Sequence, residues 1–186
     1  MPNWAYTKYY IRSADDSAEQ IYNRMKRLQD MPQPLKPNGF GTAWLGNLVE
    51  DFGVDFNTVQ CGGSWQDLTY DNGILSFSTE TAWYRCTEVE DLLMERYPEI
   101  EIHFMCEEGG MAIYEKNSDE FFPEDYIIDI PDDDSYYCME DEAITIISNF
   151  FGVDFNCIQD ALTMVNELNS NDDDNQIYVH KFDLVD

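Results

Sequence analysis

Two histidines, His103 and His180, and a handful of carboxylates are the residues of this chain whose types fit catalysis. Glu80, Glu107 and Glu108 could serve as general acid and base, because paired carboxylates in different environments can pass a proton in both directions. If their strands were adjacent, His103 and His180 could bind a metal together with Glu101 or Glu107. Neither histidine belongs to an HxH or HxxxH spacing, and 38 acidic residues bring some carboxylates together by chance. Asp132-Asp133-Asp134 and Asn171-Asp172-Asp173-Asp174-Asn175 invite a calcium reading. Both lack the glycine and the distal glutamate of an EF-hand loop, so solvated acidic loops are the expectation. No GxSxG, GxxxxGKS/T or GxGxxG motif occurs. The sequence implies no cofactor, no resident metal and no enzyme.

Charge is the dominant feature. The 186 residues hold 38 Asp and Glu against 10 Lys and Arg, a net charge of −28. Residues 1–41 carry +2 and residues 42–186 carry −30. Between Lys116 and Lys181 lie 64 residues with 17 acids and no Lys or Arg. Phosphate contacts need Lys and Arg, so direct binding to nucleic acid or an anionic membrane is disfavoured. Tyr6, Tyr9 and Tyr10 on the first expected strand suit base stacking, but the basic and glycine residues of an RNA-binding sheet are missing. Basic proteins and cations are the partners that such a charge favours.

Hydrophobic residues make up 44% of the chain, enough for a core. The length suits one domain, or one domain with an extension. Five cysteines, an odd number without a CxxC pair, read as free thiols in a reducing compartment. The opening MPNWAYTKYYIRS has no apolar signal core, and no apolar run approaches membrane-spanning length. The cytoplasm is the expected location.

The elements follow from periodicity and punctuation. Residues 5–12 suit a strand, and Ser13 with Asp16 should open a helix carrying Ile21, Met25 and Leu28 on one face. A Pro- and Gly-rich loop at 31–41 precedes a short helix at 42–52. Strands at 58–69 and 73–80 flank Asp71-Asn72-Gly73, a strong hairpin signal. In the second, Ile74, Ser76, Ser78 and Glu80 should face one way and Leu75, Phe77 and Thr79 the other. Thr87 and Glu90 resemble a capping box for a helix ending before Pro98. Strands at 99–106 and over MAIYE follow. Residues 126–130 suit a strand, 140–151 and 155–168 suit helices, and 177–185 a last strand.

FGVDFN occurs twice, at residues 52–57 and 151–156. Each copy follows an expected amphipathic helix. Gly53 and Gly152 sit where a left-handed C-cap belongs, with Val54 and Val153 folding back on the helix. Asn57 and Asn156 each precede a Gln by three positions, as in a capping box; a helix should follow the second copy, whereas Cys61-Gly62-Gly63 after the first favours a short turn leading into a strand. The repeat therefore reads as helix-termination chemistry with two aromatic anchors rather than a duplicated active site.

The order β-α-(helix)-β-β-α-β-β describes an α+β, ferredoxin-like split βαβ core with an inserted helix over residues 1–115. Residues 116–186 form an acidic C-terminal extension, two helices and a last strand, packed on the same core. Met1-Pro2-Asn3-Trp4, Thr79-Glu80-Thr81-Ala82-Trp83 and Glu107-Glu108-Gly109 resemble the YubB-type ferredoxin-like domain family of plasmids, phages and conjugative elements. The resemblance covers roughly residues 1–115. Ala5-Tyr6-Thr7 stands where that family's usual Asn follows the Trp. The resemblance implies a ferredoxin-like fold and a mobile-element origin, and carries no catalytic residues.

These readings converge on a non-enzymatic binding protein with an acidic surface. Its expected partner is a basic protein site, a DNA-binding nuclease or a restriction or CRISPR subunit, engaged by mimicry of DNA. The densest acidity is expected to form the site: Glu115, Asp119, Glu120, Glu124, Asp125, Asp129, Asp132, Asp133, Asp134, Glu140, Asp141 and Glu142. The alternative is an accessory interaction module anchored by Trp4, Trp44, Trp65 or Trp83, whose acidity serves solubility.

Overall fold

The computed structural model describes residues 3–171 and 176–185. Met1 and Pro2 of the opening motif, and Asp172 to Asn175 of the second acidic loop, lie outside the described residues. The protein is mixed α+β, with mostly antiparallel sheets and five α-helices among the described residues. The chain forms two compact units, with the boundary in sequence between Ile113 and Tyr114.

The first unit runs β1 (Trp4–Ser13), α1 (Ser17–Gln29), α2 (Leu45–Asp51), a 3-10 turn (Phe56–Thr58), β2 (Gly63–Asp71), β3 (Ile74–Ala82), α3 (Thr87–Arg96) and β4 (Ile100–Glu108). Its strands lie in the order β2-β3-β1-β4, each antiparallel to its neighbour. Alternation in β1 buries Ala5, Thr7, Tyr9 and Ile11 and leaves Tyr6, Lys8, Tyr10 and Arg12 half-buried on the other face. In β3, Leu75, Phe77 and Thr79 join the buried face. The helices cover that face with Ile21, Met25 and Leu28 of α1, Leu45 and Leu48 of α2, and Val89 and Leu93 of α3. A cavity of about 20 Å³ remains among them, lined by Tyr9, Met25, Phe77 and Thr79 among others. It has room for one water. The hairpin turn carries Asn72 at φ 50° and Gly73 at φ 83°, the left-handed pair that the Asn-Gly signal implies.

Three expected caps form differently. Helix α1 starts at Ser17, not Ser13, because the Asp15 carboxylate accepts the Ser17 N–H at 2.9 Å; the Ser13 hydroxyl accepts the Ala18 N–H at 3.1 Å. Thr87 and Glu90 make no capping box. Helix α3 begins one residue earlier in register, after Cys86, and Glu90 is buried, accepting the Tyr9 O–H at 2.7 Å and pairing with Arg85. In the first repeat copy Asp55, not Asn57, is the cap: its carboxylate accepts the Asn57 N–H at 3.0 Å. Strand β2 consequently starts at Gly63 rather than residue 58.

Both repeat glycines end helices as expected. Gly53 has φ 77° and Gly152 φ 65°. Val54 and Val153 donate their N–H groups back to Val49 and Ser148 carbonyls at 3.2 and 3.1 Å. The aromatic anchors differ in company. Phe52 carries the Arg24 guanidinium at 4.6 Å and Phe56 meets Trp44 edge-on, whereas Phe151 meets Phe155 edge-on.

The boundary falls at the first residue of β5 (Ile113–Lys116), and the second unit holds the rest of that strand, β6 (Tyr126–Asp129), β7 (Tyr136–Cys138), α4 (Glu140–Phe151), α5 (Ile158–Asn171), β8 (Tyr178–Lys181) and β9 (Asp183–Leu184). Phe182 interrupts the last expected strand, its N–H donating to the Asp125 carbonyl at 2.8 Å. Strand β6 is central to a sheet β7-β6-β8, and β5 pairs parallel with β9. One face of β7-β6-β8, with Tyr126, Ile128 and Cys138, packs on Ala143 and Ile147 of α4 and Ala161 and Val165 of α5. This unit has an apolar core of its own.

Lys116 ties its acidic loop down. The side chain is 1% exposed, and Nζ donates to the carbonyls of Phe122 and Glu124, each at 3.0 Å. It also pairs with Asp119 at 2.8 Å and Asp125 at 3.0 Å. Burial opposes its charge, but its hydrogen bonds to Asp119 and Asp125 outweigh burial and raise the ammonium above the usual lysine value. A raised cation pKa gives full stabilisation below the ordinary lysine value and loses it as pH rises through the folded one.

Lys116→Met should therefore lower stability to urea by about 3 kcal/mol at neutral pH, since two carbonyls and two aspartates lose their cation. The gap between wild type and variant should close above about pH 10.4, where lysine begins to lose its proton. Gly152→Ala should cost about 1 kcal/mol in the same assay, from a Cβ forced into the left-handed region.

Candidate functional site

The twelve acidic candidates fall on three stretches of the second unit. Glu115 lies on β5, with Asp119, Glu120, Glu124 and Asp125 in the segment after it. Asp129 ends β6, and Asp132, Asp133 and Asp134 form the turn before β7. Glu140, Asp141 and Glu142 are the first turn of α4, where they complement the positive end of the helix dipole. Asp119, Glu120, Asp132, Asp133, Asp134, Glu140, Asp141 and Glu142 are exposed; Glu115, Glu124, Asp125 and Asp129 are half-buried.

Some of these carboxylates have structural work. Asp119 and Asp125 hold Lys116. Asp129 accepts the Ser135 hydroxyl. Asp133 accepts the Tyr136 O–H at 2.6 Å, which lowers its pKa and raises that of the phenol. Glu140 accepts the Tyr126 O–H at 3.4 Å. Cations are scarce in this unit. From Tyr114 onward the chain has 20 Asp and Glu against two Lys, Lys116 and Lys181. Lys116 is buried, and Lys181 lies 5.8 Å above the Tyr126 ring.

In the first unit the three motif stretches meet at one end of the sheet. Trp4 pairs with Ala82, and Tyr6 is flanked by Glu80 on β3 and Glu107 on β4. The Trp83 N–H donates to the Asn3 carbonyl at 2.8 Å. The Glu108 carboxylate is buried and accepts the N–H groups of Gly110 and Met111 at 3.0 and 2.6 Å. Gly110 lies so close to Asn3 that a Cβ there would overlap the Asn3 amide. Trp83 sits at φ 72°, a conformation that costs a bulky residue about 1–2 kcal/mol. It is 50% exposed and Trp4 51%, with Phe40 edge-on to Trp4 at 6.4 Å. Trp44 and Trp65 are buried instead, their indole N–H groups donating to the Cys61 carbonyl at 3.0 Å and to Gln29 Oε1 at 3.1 Å.

Glu80, Glu107 and His103, the residues an acid–base enzyme would need together, do not converge. Glu80 and Glu107 stand on either side of Tyr6, and His103 pairs with Tyr10, four residues and about 13 Å of strand from Glu107. His103 Nε2 lies 3.6 Å from Glu101. His180 is on β8, which pairs with β6, and stacks on Tyr114 at 4.1 Å; burial lowers its pKa. Among the described residues no three His, Cys, Asp or Glu side chains group to hold a metal. No described helix is long and apolar enough to cross a membrane.

One acidic feature escaped the sequence reading. Glu88, Asp91 and Glu95 are exposed together on α3. Their i, i+3, i+7 spacing is a helical-face pattern, which the density of acids along the chain does not reveal. A scan against protein-family models finds no match, and searches of curated proteins and of solved structures find none either.

Acrylamide should quench about half of the tryptophan fluorescence, that of Trp4 and Trp83, because indoles in a close-packed core are shielded. W4F/W83F should leave emission that is blue-shifted and nearly unquenched.

Proposed function

We propose that the protein is a non-enzymatic acidic binding protein of mobile-element origin. It acts as a DNA mimic that inhibits a host nucleic-acid-binding defence protein of the antirestriction or anti-CRISPR type. The observation that carries this reading is the second unit's charge: 20 acids against two lysines, one of them buried. Duplex DNA presents about one charge per 1.7 Å of axis. Carboxylates on β-turns and the first turn of α4, on a unit with its own core, are a protein counterpart of such a row. A basic DNA groove is the complementary surface, and the cytoplasm is where it would be met.

The motif likeness to YubB-type domains supports the mobile-element origin. The strand order β2-β3-β1-β4, with α1 and α3 as crossovers, supports reading residues 1–115 as a ferredoxin-like split βαβ core with α2 inserted. A second reading has its own support. Two half-exposed tryptophans, one of them at φ 72°, suit an accessory module that binds through aromatic anchors, with the acidity serving solubility.

The test is capture of host proteins at low and high salt, with duplex DNA as competitor. A nuclease, restriction or CRISPR subunit should be retained at low salt and released by salt or DNA. Asp132→Asn, Asp134→Asn, Asp141→Asn and Glu142→Gln combined should weaken its binding by roughly tenfold or more. A partner insensitive to salt, to DNA and to these substitutions, but lost in W4F/W83F, would replace mimicry with the second reading.

A further inference from the structure

Helix α3 turns Val89, Leu92 and Leu93 inward and holds Glu88, Asp91 and Glu95 in solvent. The segment after α2, which carries the first repeat copy, runs beside it. Together they form an open groove of about 320 Å³. That is at the lower end of the roughly 300–1,000 Å³ found for binding clefts. Its apolar floor is Val54, Val59 and Leu92, and its wall is Glu88, Asp91 and Glu95, with no Lys or Arg among the lining residues. Glu88 also accepts the Gln60 N–H, which ties wall to floor. The carboxylates step along the helix axis by about 4.5 and 6 Å.

We propose that this groove docks a basic amphipathic helix of a partner protein. An apolar side chain of that helix fills the space over Val54, Val59 and Leu92, while its Lys or Arg residues meet the three carboxylates. Helix-spaced carboxylates match cations that themselves recur every three or four residues. A small free cation would gain nothing from the valines. A second copy of this chain supplies a poor ligand, since Arg24 and Arg27 of α1 are bound to Asp51 and Lys26 to Asp30. This docking is independent of mimicry by the second unit.

The probe is a synthetic helical peptide with Leu and Lys at i, i+3, i+4 and i+7 positions, set against a scrambled peptide of the same composition. Both are titrated into the full chain by calorimetry and by amide chemical shifts. The patterned peptide should bind roughly tenfold tighter than the scrambled one and shift the amides of Val54, Val59 and Leu92. Asp91→Lys with Glu95→Lys, at two exposed positions, should weaken it roughly tenfold or more without changing the circular dichroism melt. Equal binding of the scrambled peptide, shifts confined to residues beyond Tyr114, or full affinity of the double variant would overturn the proposal. Self-association that shifts the same valine amides would overturn it too, in favour of a second copy.

Discussion

Like-charge repulsion is the constraint on which the rest of this structure turns. A chain at −28 must fold against its own field. It does so by using its few cations internally. Arg12, Arg24, Lys26, Arg27, Lys36, Arg85 and Lys116 each pair with a carboxylate, and Lys8 and Lys181 lie over tyrosine rings. Arg85 and Lys116 do this largely out of water, where a charge pair is least screened. The acids left over stand on turns, strand ends and helix faces, where solvent lowers the cost of their proximity.

The two units handle this differently. The first has eight of the ten basic residues and uses a buried hydrogen-bonded triad, Tyr9, Glu90 and Arg85, between sheet and helix. Burial raises the Tyr9 phenol well above its usual value, and the Glu90 charge adds to it, so the phenol stays a donor at ordinary pH. The Arg85 guanidinium also stacks at 3.8 Å on Phe104, so its planar face is used as well as its edge. The second unit has one buried lysine, and Tyr and Ser hydroxyls donate to its Asp129, Asp133 and Glu140 carboxylates. Hydroxyls satisfy hydrogen bonds without cancelling charge, so the field outside remains strongly negative.

The proposed function rests on what the core does not absorb. Two tryptophans of four pack with their N–H groups satisfied, and two remain at the surface. Some acids close turns or hold cations, and others stand exposed to solvent. The same division appears in the repeat. Its glycines and valines terminate helices in both copies, but Phe52 and Phe56 of the first meet Arg24 and Trp44 while Phe151 and Phe155 of the second meet each other, so identical sequence acquires different surroundings.

Much of the chain was legible from local chemistry. The Asn72-Gly73 turn, the helix ends at Gly53 and Gly152, and the two-faced pattern of β3 all rest on neighbours within a few residues. Such rules act wherever the sequence is placed. Net charge and its imbalance were likewise set by composition alone. Other features depended on distant partners. Glu90 has the composition of a capping residue, yet Tyr9, 81 positions away, claims it. Nothing adjacent to Lys116 buries it; carbonyls six and eight residues on close over it. The meeting of Asn3, Trp4, Glu80, Trp83 and Glu108, and the choice of which tryptophans stay exposed, required strand order. A hydrogen bond or a buried face is shared between segments, so tertiary structure alone decided which segments shared them.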